Sequence, residues 1–137
     1  YLPKLVIPWE KLPVDERLST VTEVETQYKA DPLVYHGALR IRHSNEFLLA
    51  VDAANAAYDV FRLPILGIHG KEDKLCIPAG TEQLLARAPA ADKEFVMVEN
   101  AYHEVHNEKP AVQAEVFAKI SQFILAHLSP PKPVDSY

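Results

Sequence analysis

The stretch LPILGIHGKEDKLC, residues 63–76, decides the fold. Its apolar side chains form a nearly continuous run, Leu63, Ile65, Leu66 and Ile68. Such a run is typical of a strand buried on both faces of a parallel sheet, and Pro64 fits only at the start of that strand. Gly70 is expected to break the run, and the polar loop that follows carries Asp73 just beyond the carboxyl end of the strand. Open α/β sheets hold their functional groups at that edge.

The same pattern recurs about thirty residues later along the chain. Residues 94–99 (EFVMVE) form a second apolar strand, and the loop NAYH that follows ends at His103. Residues 78–88, between the two strands, have helical apolar spacing. Strand, helix and strand over this length predict a right-handed βαβ crossover with parallel strands. Both loops then open at the same edge, so we expect Asp73 and His103 to meet.

An aspartate beside a histidine suits nucleophilic catalysis. The carboxylate holds the imidazole in one tautomer and stabilises the imidazolium that forms when the ring takes a proton from a nucleophile. From spacing alone an alternative stays open: residues 71–74 (KEDK) are then a solvated charged turn, and His103 is a surface residue.

The chain is as long as a whole domain, but it has too few predicted strands for one. The chain has 137 residues, 48% of them apolar, which is the size of one domain. Only two strands can be predicted, whereas a parallel sheet needs more than two to bury both faces. The first residue is Tyr1 and the opening segment has no capping pattern. We therefore expect the chain to be the carboxyl-terminal part of a longer protein.

Composition excludes several classes of function. The net charge of −5 is spread over both halves of the chain, and no basic stripe exists for a nucleic acid. The single cysteine, Cys76, excludes an internal disulfide framework and is compatible with a reducing compartment. No apolar run reaches the roughly 18 to 20 residues of a membrane-spanning helix. The compartment stays open, with the cytoplasm or the periphery of a membrane expected.

Two helices are predicted ahead of the strands. Residues 19–30 form a short acidic helix with Ser19 or Thr20 as its cap. Residues 44–61 form an amphipathic helix with Ser44 as its cap.

The two ends of the chain have different compositions. Residues 1–14 are rich in proline and apolar side chains, and two interpretations stay open: a packed loop under a neighbouring segment, or a flap that lines an apolar pocket or touches a membrane. A final helix is predicted from Pro110 to about Leu128, and a proline-rich extended tail follows it.

Three segments resemble the monoacylglycerol lipase family of the α/β-hydrolase superfamily. They are PILGIHGKEDKLC at residues 64–76, DKEFVMVENAYH at residues 92–103 and DPLV at residues 31–34. The resemblance runs from about residue 5 to residue 128 and covers the carboxyl-terminal half of that family.

The resemblance implies an α/β architecture in two parts, followed by a tail. Residues 62–128 are the last two parallel strands of an α/β-hydrolase core with flanking helices, and residues 1–61 are part of the helical cap; residues 129–137, beyond the resemblance, are the extended tail that their prolines predict. Asp73 is implied as the triad acid and His103 as the triad base of a serine hydrolase that cleaves lipid esters and uses no cofactor.

The chain departs from the family in the nucleophile. In the family the serine lies in Gly-x-Ser-x-Gly, ahead of the acid and the base in chain order. None of the serines of this chain has such flanks, namely Ser19, Ser44, Ser121, Ser129 and Ser136. We therefore expect the nucleophile in an amino-terminal part of the same enzyme, and this chain to be catalytically silent alone.

The resemblance also implies substrate contacts, and three of them have a structural alternative. Leu75 is implied in the acyl pocket. Cys76 is either a modifiable thiol at the pocket wall or a small buried residue. His106 and the cap residue Tyr28 are implied near the glycerol end of the ligand, or else are satisfied polar residues. Glu104 stands where the family often has an apolar residue, which affects the shape of the acyl tunnel.

The histidines of the chain do not indicate a metal site. The spacing of His103 and His106, His-Glu-Val-His, is not the His-Glu-x-x-His of zincins. The other four histidines are interpreted as structural or exposed: His36, His43, His69 and His127.

Two alternative functions stay open. One is a carboxylesterase or lysophospholipase of the same fold, because fold does not determine substrate. The other is a catalytically silent interaction or structural unit.

Overall fold

The computed structural model describes residues 18–128, so the predictions for residues 1–14 and for the tail lie outside the described residues. Four helices and two strands make up this part of the chain. In chain order they are α1 (Thr22–Ala30), α2 (Ile41–Ala57), β1 (Ile65–Gly70), α3 (Ala79–Arg87), β2 (Lys93–Val98) and α4 (Pro110–His127), with 3₁₀ turns at Tyr58–Val60 and Val105–Asn107. The division into cap, core and tail stays a prediction.

The two strands pair in parallel, as the sequence predicts. The register runs from Ile65 opposite Lys93 to Gly70 opposite Val98. Gly70 is therefore the last paired residue of β1 and does not break the strand. A side chain there would collide with the carbonyl oxygens of Ala101 and Tyr102, so glycine lets the loop after β2 pass directly over the end of β1.

Proline sets several helix ends. Ala88 follows α3 in an extended conformation (φ −62°, ψ 126°), because a proline after it disfavours helical dihedrals. Asp31 ends α1 for the same reason, with Pro32 next (φ −72°, ψ 115°). Pro110 occupies the first turn of α4, where a missing N–H costs nothing.

The predicted helix caps are wrong. Val21 precedes α1 and Arg40 precedes α2, and neither makes a side-chain cap. Ser44 lies in the first turn of α2, where its hydroxyl donates to the Arg40 carbonyl oxygen at 3.3 Å. Ser19 accepts the N–H of Val21 but donates to the Asn107 carbonyl oxygen, and Thr20 bonds to the Glu108 carboxylate, so distant partners compete with the local capping preference.

The core lies in two small clusters. One joins the end of β2 to α4 through Val98, Ala101, Val105 and Val116. The other joins the start of β1 to the end of α3 through Ile65, Ala88 and Ala90. Residues 66–69 in the middle of β1 are only half-buried, contrary to the prediction of a strand buried on both faces. The reason is that the sheet of the described residues has two strands, so each has a single neighbour.

Candidate active site

The two strand-end loops are tied to one another beyond the sheet. The Lys71 N–H donates to the Val98 carbonyl oxygen at 2.9 Å, and the Glu72 N–H donates to the Ala101 carbonyl oxygen at 3.1 Å. Asn100 has a positive φ of 52°, a conformation that asparagine tolerates better than most residues, and it turns the chain after β2. These ties bring the loop that carries Asp73 against the loop that carries His103.

Asp73 is buried within its loop, whereas the charged residues on either side of it are exposed. The residue is 5% exposed, so it is not part of a solvated turn. Its Oδ1 accepts the backbone N–H groups of Leu75 at 2.8 Å and of Cys76 at 3.0 Å. This side-chain-to-backbone turn points Oδ2 away from its own loop and towards the histidines.

His103 meets Asp73 at the edge of the sheet. Its Nδ1 lies 2.9 Å from Asp73 Oδ2, and its side chain is 37% exposed. Because a carboxylate only accepts hydrogen bonds, Nδ1 carries the proton and Nε2 is left as the basic nitrogen. The arrangement is a buried acid that orients an exposed base.

Opposing effects act on the acid. Burial raises the pKa of Asp73, but the N–H of Cys76, the imidazole of His103 and the N–H of Leu75 favour the carboxylate and together hold its pKa below the ordinary value. Asp73 is therefore ionised at neutral pH and can stabilise an imidazolium on His103.

A second histidine lies against the same carboxylate oxygen. His69 Nε2 is 3.1 Å from Asp73 Oδ2 and 2.6 Å from the Cys76 carbonyl oxygen. The sequence interpretation placed His69 among structural or exposed residues. Its position one residue before the end of β1 could have indicated a site residue, but its partner, the Cys76 carbonyl, cannot be identified from residue types.

The loop that carries His103 is fastened by a buried carboxylate that the sequence analysis did not single out. Glu108 is 2% exposed, and its Oε1 accepts the Tyr102 N–H at 2.8 Å. The same carboxylate accepts the backbone N–H of Thr20 at 3.1 and 3.2 Å and also the Thr20 hydroxyl.

Residues 18–20 make further bonds to this loop. The Glu104 N–H donates to the Leu18 carbonyl oxygen at 2.7 Å. The Ser19 hydroxyl donates to the Asn107 carbonyl oxygen at 2.9 Å. A segment ahead of α1 therefore packs against the loop of the candidate base, 88 residues away along the chain.

The predicted pocket residues next to Asp73 have different surroundings. Leu75 is half-buried, and Cys76 is exposed, which contradicts the alternative that Cys76 is a small buried residue. Partial burial, and then the charge of Asp73, raise the pKa of the Cys76 thiol. The thiol is therefore mostly protonated at neutral pH and is a weak nucleophile.

The two predicted headgroup contacts lie on different elements. His106 is exposed in the 3₁₀ turn three residues after His103. Tyr28 is half-buried on α1, where its ring packs edge-on against His36 with the centroids 5.5 Å apart. Glu104 accepts a bond from the Asn107 side chain at 2.7 Å, so its carboxylate is engaged within the loop.

Residues 18–128 hold no group of three or more His, Cys, Asp or Glu side chains that could bind a metal ion. Over the same residues, no helix has the length and apolarity needed to cross a bilayer.

Comparisons with known proteins agree on one family. Residues 2–110 match the Hydrolase_4 family model, described as serine aminopeptidase, S33. The human monoglyceride lipase is 31% identical over 122 residues, which are 88% of this chain and 40% of that protein. The monoacylglycerol lipase of Mycolicibacterium smegmatis is 32% identical over 122 residues, or 89% of this chain and 42% of that protein.

A solved structure gives the same fold. The chain matches the crystal structure of the Paleococcus ferrophilus monoacylglycerol lipase with a TM-score of 0.76 at 20% identity, over 90% of this chain and 47% of that one. The chain thus spans less than half the length of the relatives that it matches.

Proposed function

Given that the chain belongs to the Hydrolase_4 family (serine aminopeptidase, S33) and has a monoacylglycerol lipase-like α/β-hydrolase fold, we propose that Asp73 and His103 are the acid and the base of a serine ester hydrolase. The observation that carries the proposal is the 2.9 Å contact between a buried carboxylate and an exposed imidazole. The side chain of His103 is partly exposed, which supports access of a nucleophile to the ring.

The proposed chemistry uses His103 first as a base and then as an acid. Its Nε2 takes the proton of a serine hydroxyl while the serine oxygen attacks the ester carbonyl, and it returns that proton to the departing alcohol. Water then repeats the cycle on the acyl-serine. Asp73 keeps the proton of His103 on Nδ1 and stabilises the imidazolium, and it stays ionised throughout.

The serine is proposed to come from an amino-terminal part of the same enzyme. In the full sequence no serine lies in Gly-x-Ser-x-Gly. Two of the described serines already donate to backbone carbonyls, Ser19 to Asn107 and Ser44 to Arg40. The chain alone is then silent, because the triad acts as a unit.

Monoacylglycerols are the proposed substrate class, because the human relative is a monoglyceride lipase and the Mycolicibacterium smegmatis relative is a monoacylglycerol lipase. Leu75 and Cys76 would line the acyl side of the site, and His106 and Tyr28 would contact the glycerol. Carboxylesters and lysophospholipids are the alternatives within the same chemistry.

Contact with a membrane surface through the cap is part of this proposal. Three large apolar side chains project from α2, Phe47 (62% exposed), Leu48 (63%) and Leu49 (56%). Flotation with phosphatidylcholine vesicles tests it, and Leu48→Glu should reduce binding. Equal flotation of both proteins would contradict a contact through α2.

The triad is tested by purifying tagged chain from its native source with any companion polypeptide. Intact mass and labelling by a fluorophosphonate probe should identify a companion that carries a reactive serine. Asp73→Asn should lower ester turnover by about 10⁴-fold and His103→Gln by about 10⁶-fold, and both should lower labelling. His43→Gln, on the exposed face of α2, is the matched control and should leave both unchanged.

Two outcomes would contradict the proposal. One is probe labelling of this chain by itself, and the other is full activity of the Asp73→Asn or His103→Gln complex. A panel of long-chain monoacylglycerols, short p-nitrophenyl esters, lysophospholipids and an aminopeptidase substrate then separates the substrate classes.

A further inference from the structure

His69 connects α3 to the loop that carries Asp73. Its Nδ1 lies 2.8 Å from the Thr81 hydroxyl oxygen on α3. Its Nε2 lies 2.6 Å from the Cys76 carbonyl oxygen and 3.1 Å from Asp73 Oδ2. The side chain is 13% exposed, so water contributes little to these contacts.

The partners of His69 determine its tautomer. A backbone carbonyl and a carboxylate are both acceptors, so Nε2 must carry a proton to face them. In the neutral ring Nδ1 is then the acceptor, and the Thr81 hydroxyl donates to it. The two acceptors at Nε2 thus select the tautomer, and the hydroxyl on α3 adapts to it by donating to Nδ1, which holds the ring in place.

The His69 ring contacts both ends of the loop at residues 73–76. Asp73 Oδ1 accepts the N–H groups of Leu75 and Cys76. The carbonyl oxygen of Cys76 in turn accepts the Nε2–H of His69. Asp73 Oδ2 therefore faces two imidazole nitrogens, from His69 on β1 and from His103 on the loop after β2. In the opposite tautomer an unprotonated Nε2 would face two acceptors, and their repulsion would push the loop away.

We propose that Thr81 and His69 are a positioning pair that fixes the Asp73 carboxylate in the orientation that His103 requires. The pair acts through the hydrogen bonds of His69 to Thr81, Cys76 and Asp73, so its role is to position Asp73. Its catalytic consequence rests on the proposed role of Asp73, but its geometric consequence, an ordered bond from His103 to Asp73, does not.

Thr81→Val and Thr81→Ser form a matched test, because valine keeps the shape of threonine without the hydroxyl and serine keeps the hydroxyl. Nitrogen-15 NMR of the imidazoles reports the His69 tautomer, and solvent exchange of the His103 Nδ1 proton reports its bond to Asp73. His69→Gln identifies the His69 resonances.

We expect the Nε2–H tautomer of His69 in the wild type. Thr81→Val should keep this tautomer, which the acceptors at Nε2 require, but it frees the ring to move and should speed exchange of the His103 Nδ1 proton by about tenfold, the effect of one lost hydrogen bond. Thr81→Ser should stay within about twofold of the wild type, since its hydroxyl still donates.

Three results would overturn the inference: an Nδ1–H tautomer in the wild type, a valine variant that behaves as the wild type, or a serine variant that behaves as the valine variant. None of these readouts needs ester turnover. If the expected tautomer is found but the enzyme hydrolyses no ester, only the proposed function is contradicted. If the enzyme is active but the expected tautomer is not found, only the positioning pair is contradicted.

Discussion

At the scale of single residues, the site combines one buried ion with two imidazoles. A buried carboxylate is costly unless hydrogen bonds replace its water, and Asp73 receives two from backbone N–H groups and one from His103. Its position after β1 could be predicted, because strand ends in parallel sheets are where such groups lie. The role of His69 could not be predicted in the same way, since one of its two polar partners on the loop is a backbone carbonyl.

The thiol of Cys76 provides a test of the charge on Asp73. The negative carboxylate contributes to the raised pKa of Cys76, after the larger effect of partial burial. Asp73→Asn removes the charge and keeps an oxygen to accept the loop N–H groups, so it should lower the pKa of Cys76. Alkylation by iodoacetamide at pH 7 should become faster.

Glu72→Gln is the matched control for the alkylation experiment, because it removes an exposed charge from the same loop. Its alkylation rate should equal that of the wild type. Slower alkylation of Asp73→Asn than of the wild type would contradict the assigned electrostatics.

At the scale of elements, loops rather than strands determine the geometry of the site. Glu108 accepts bonds from Tyr102, next to the candidate base, and from Thr20, ahead of α1. Glu108→Gln replaces one acceptor oxygen by an amide donor that faces other donors. We expect a loss of about 1 to 3 kcal/mol in the free energy of unfolding, measured by urea denaturation.

Amide hydrogen exchange makes the Glu108 test local. The N–H groups of Tyr102 and Thr20 should both exchange faster in Glu108→Gln. Glu115→Gln, on the exposed face of α4, should change neither the exchange of these amides nor the free energy of unfolding. Unchanged protection at both amides would show that the buried carboxylate does not hold the loop.

Contacts of His127 at the carboxyl end of α4 should make the stability of the fold depend on pH. His127 Nδ1 lies 2.7 Å from the Phe123 carbonyl oxygen and Nε2 lies 2.9 Å from Asp92 Oδ2, so both nitrogens face acceptors and the charged ring is favoured. The Phe123 carbonyl first, and then Asp92, raise the pKa of His127. A raised folded-state pKa stabilises the fold below the unfolded value of about 6.5 and ceases to do so as pH rises through the folded value.

Wild type should therefore exceed His127→Gln in stability at pH 6, and the difference should shrink towards pH 8. Thermal unfolding at a series of pH values measures it. Asp92→Asn should weaken the dependence, because it removes the negative charge that favours the protonated ring. A difference that grows with pH would contradict the assignment.

At the scale of the whole molecule, the described part of the chain has little core and much apolar surface. Its buried apolar residues form two small clusters, while large side chains such as Leu33, Phe47 and Leu63 are exposed. Each strand of the two-stranded sheet also has one edge without a strand partner among residues 18–128. Exposed edges and apolar patches promote association.

The isolated chain should therefore self-associate and bind the dye ANS. Sedimentation velocity should give a mass above that of one chain, and adding the proposed serine-bearing polypeptide should reduce both effects. A compact monomer that does not bind ANS would contradict the need for a partner.

The sequence by itself determined the order of helices and strands, the parallel pairing, the place of Asp73 and His103 at one sheet edge and the resemblance to the lipase family. These follow from apolar periodicity, proline and short motifs, which act between residues close in the chain. Only the tertiary structure decided that Ser19 bonds to Asn107 and Thr20 to Glu108, that Gly70 lets a loop pass over it and that His69 faces Asp73. Those contacts join residues that are distant in sequence or depend on backbone atoms, which every residue type shares.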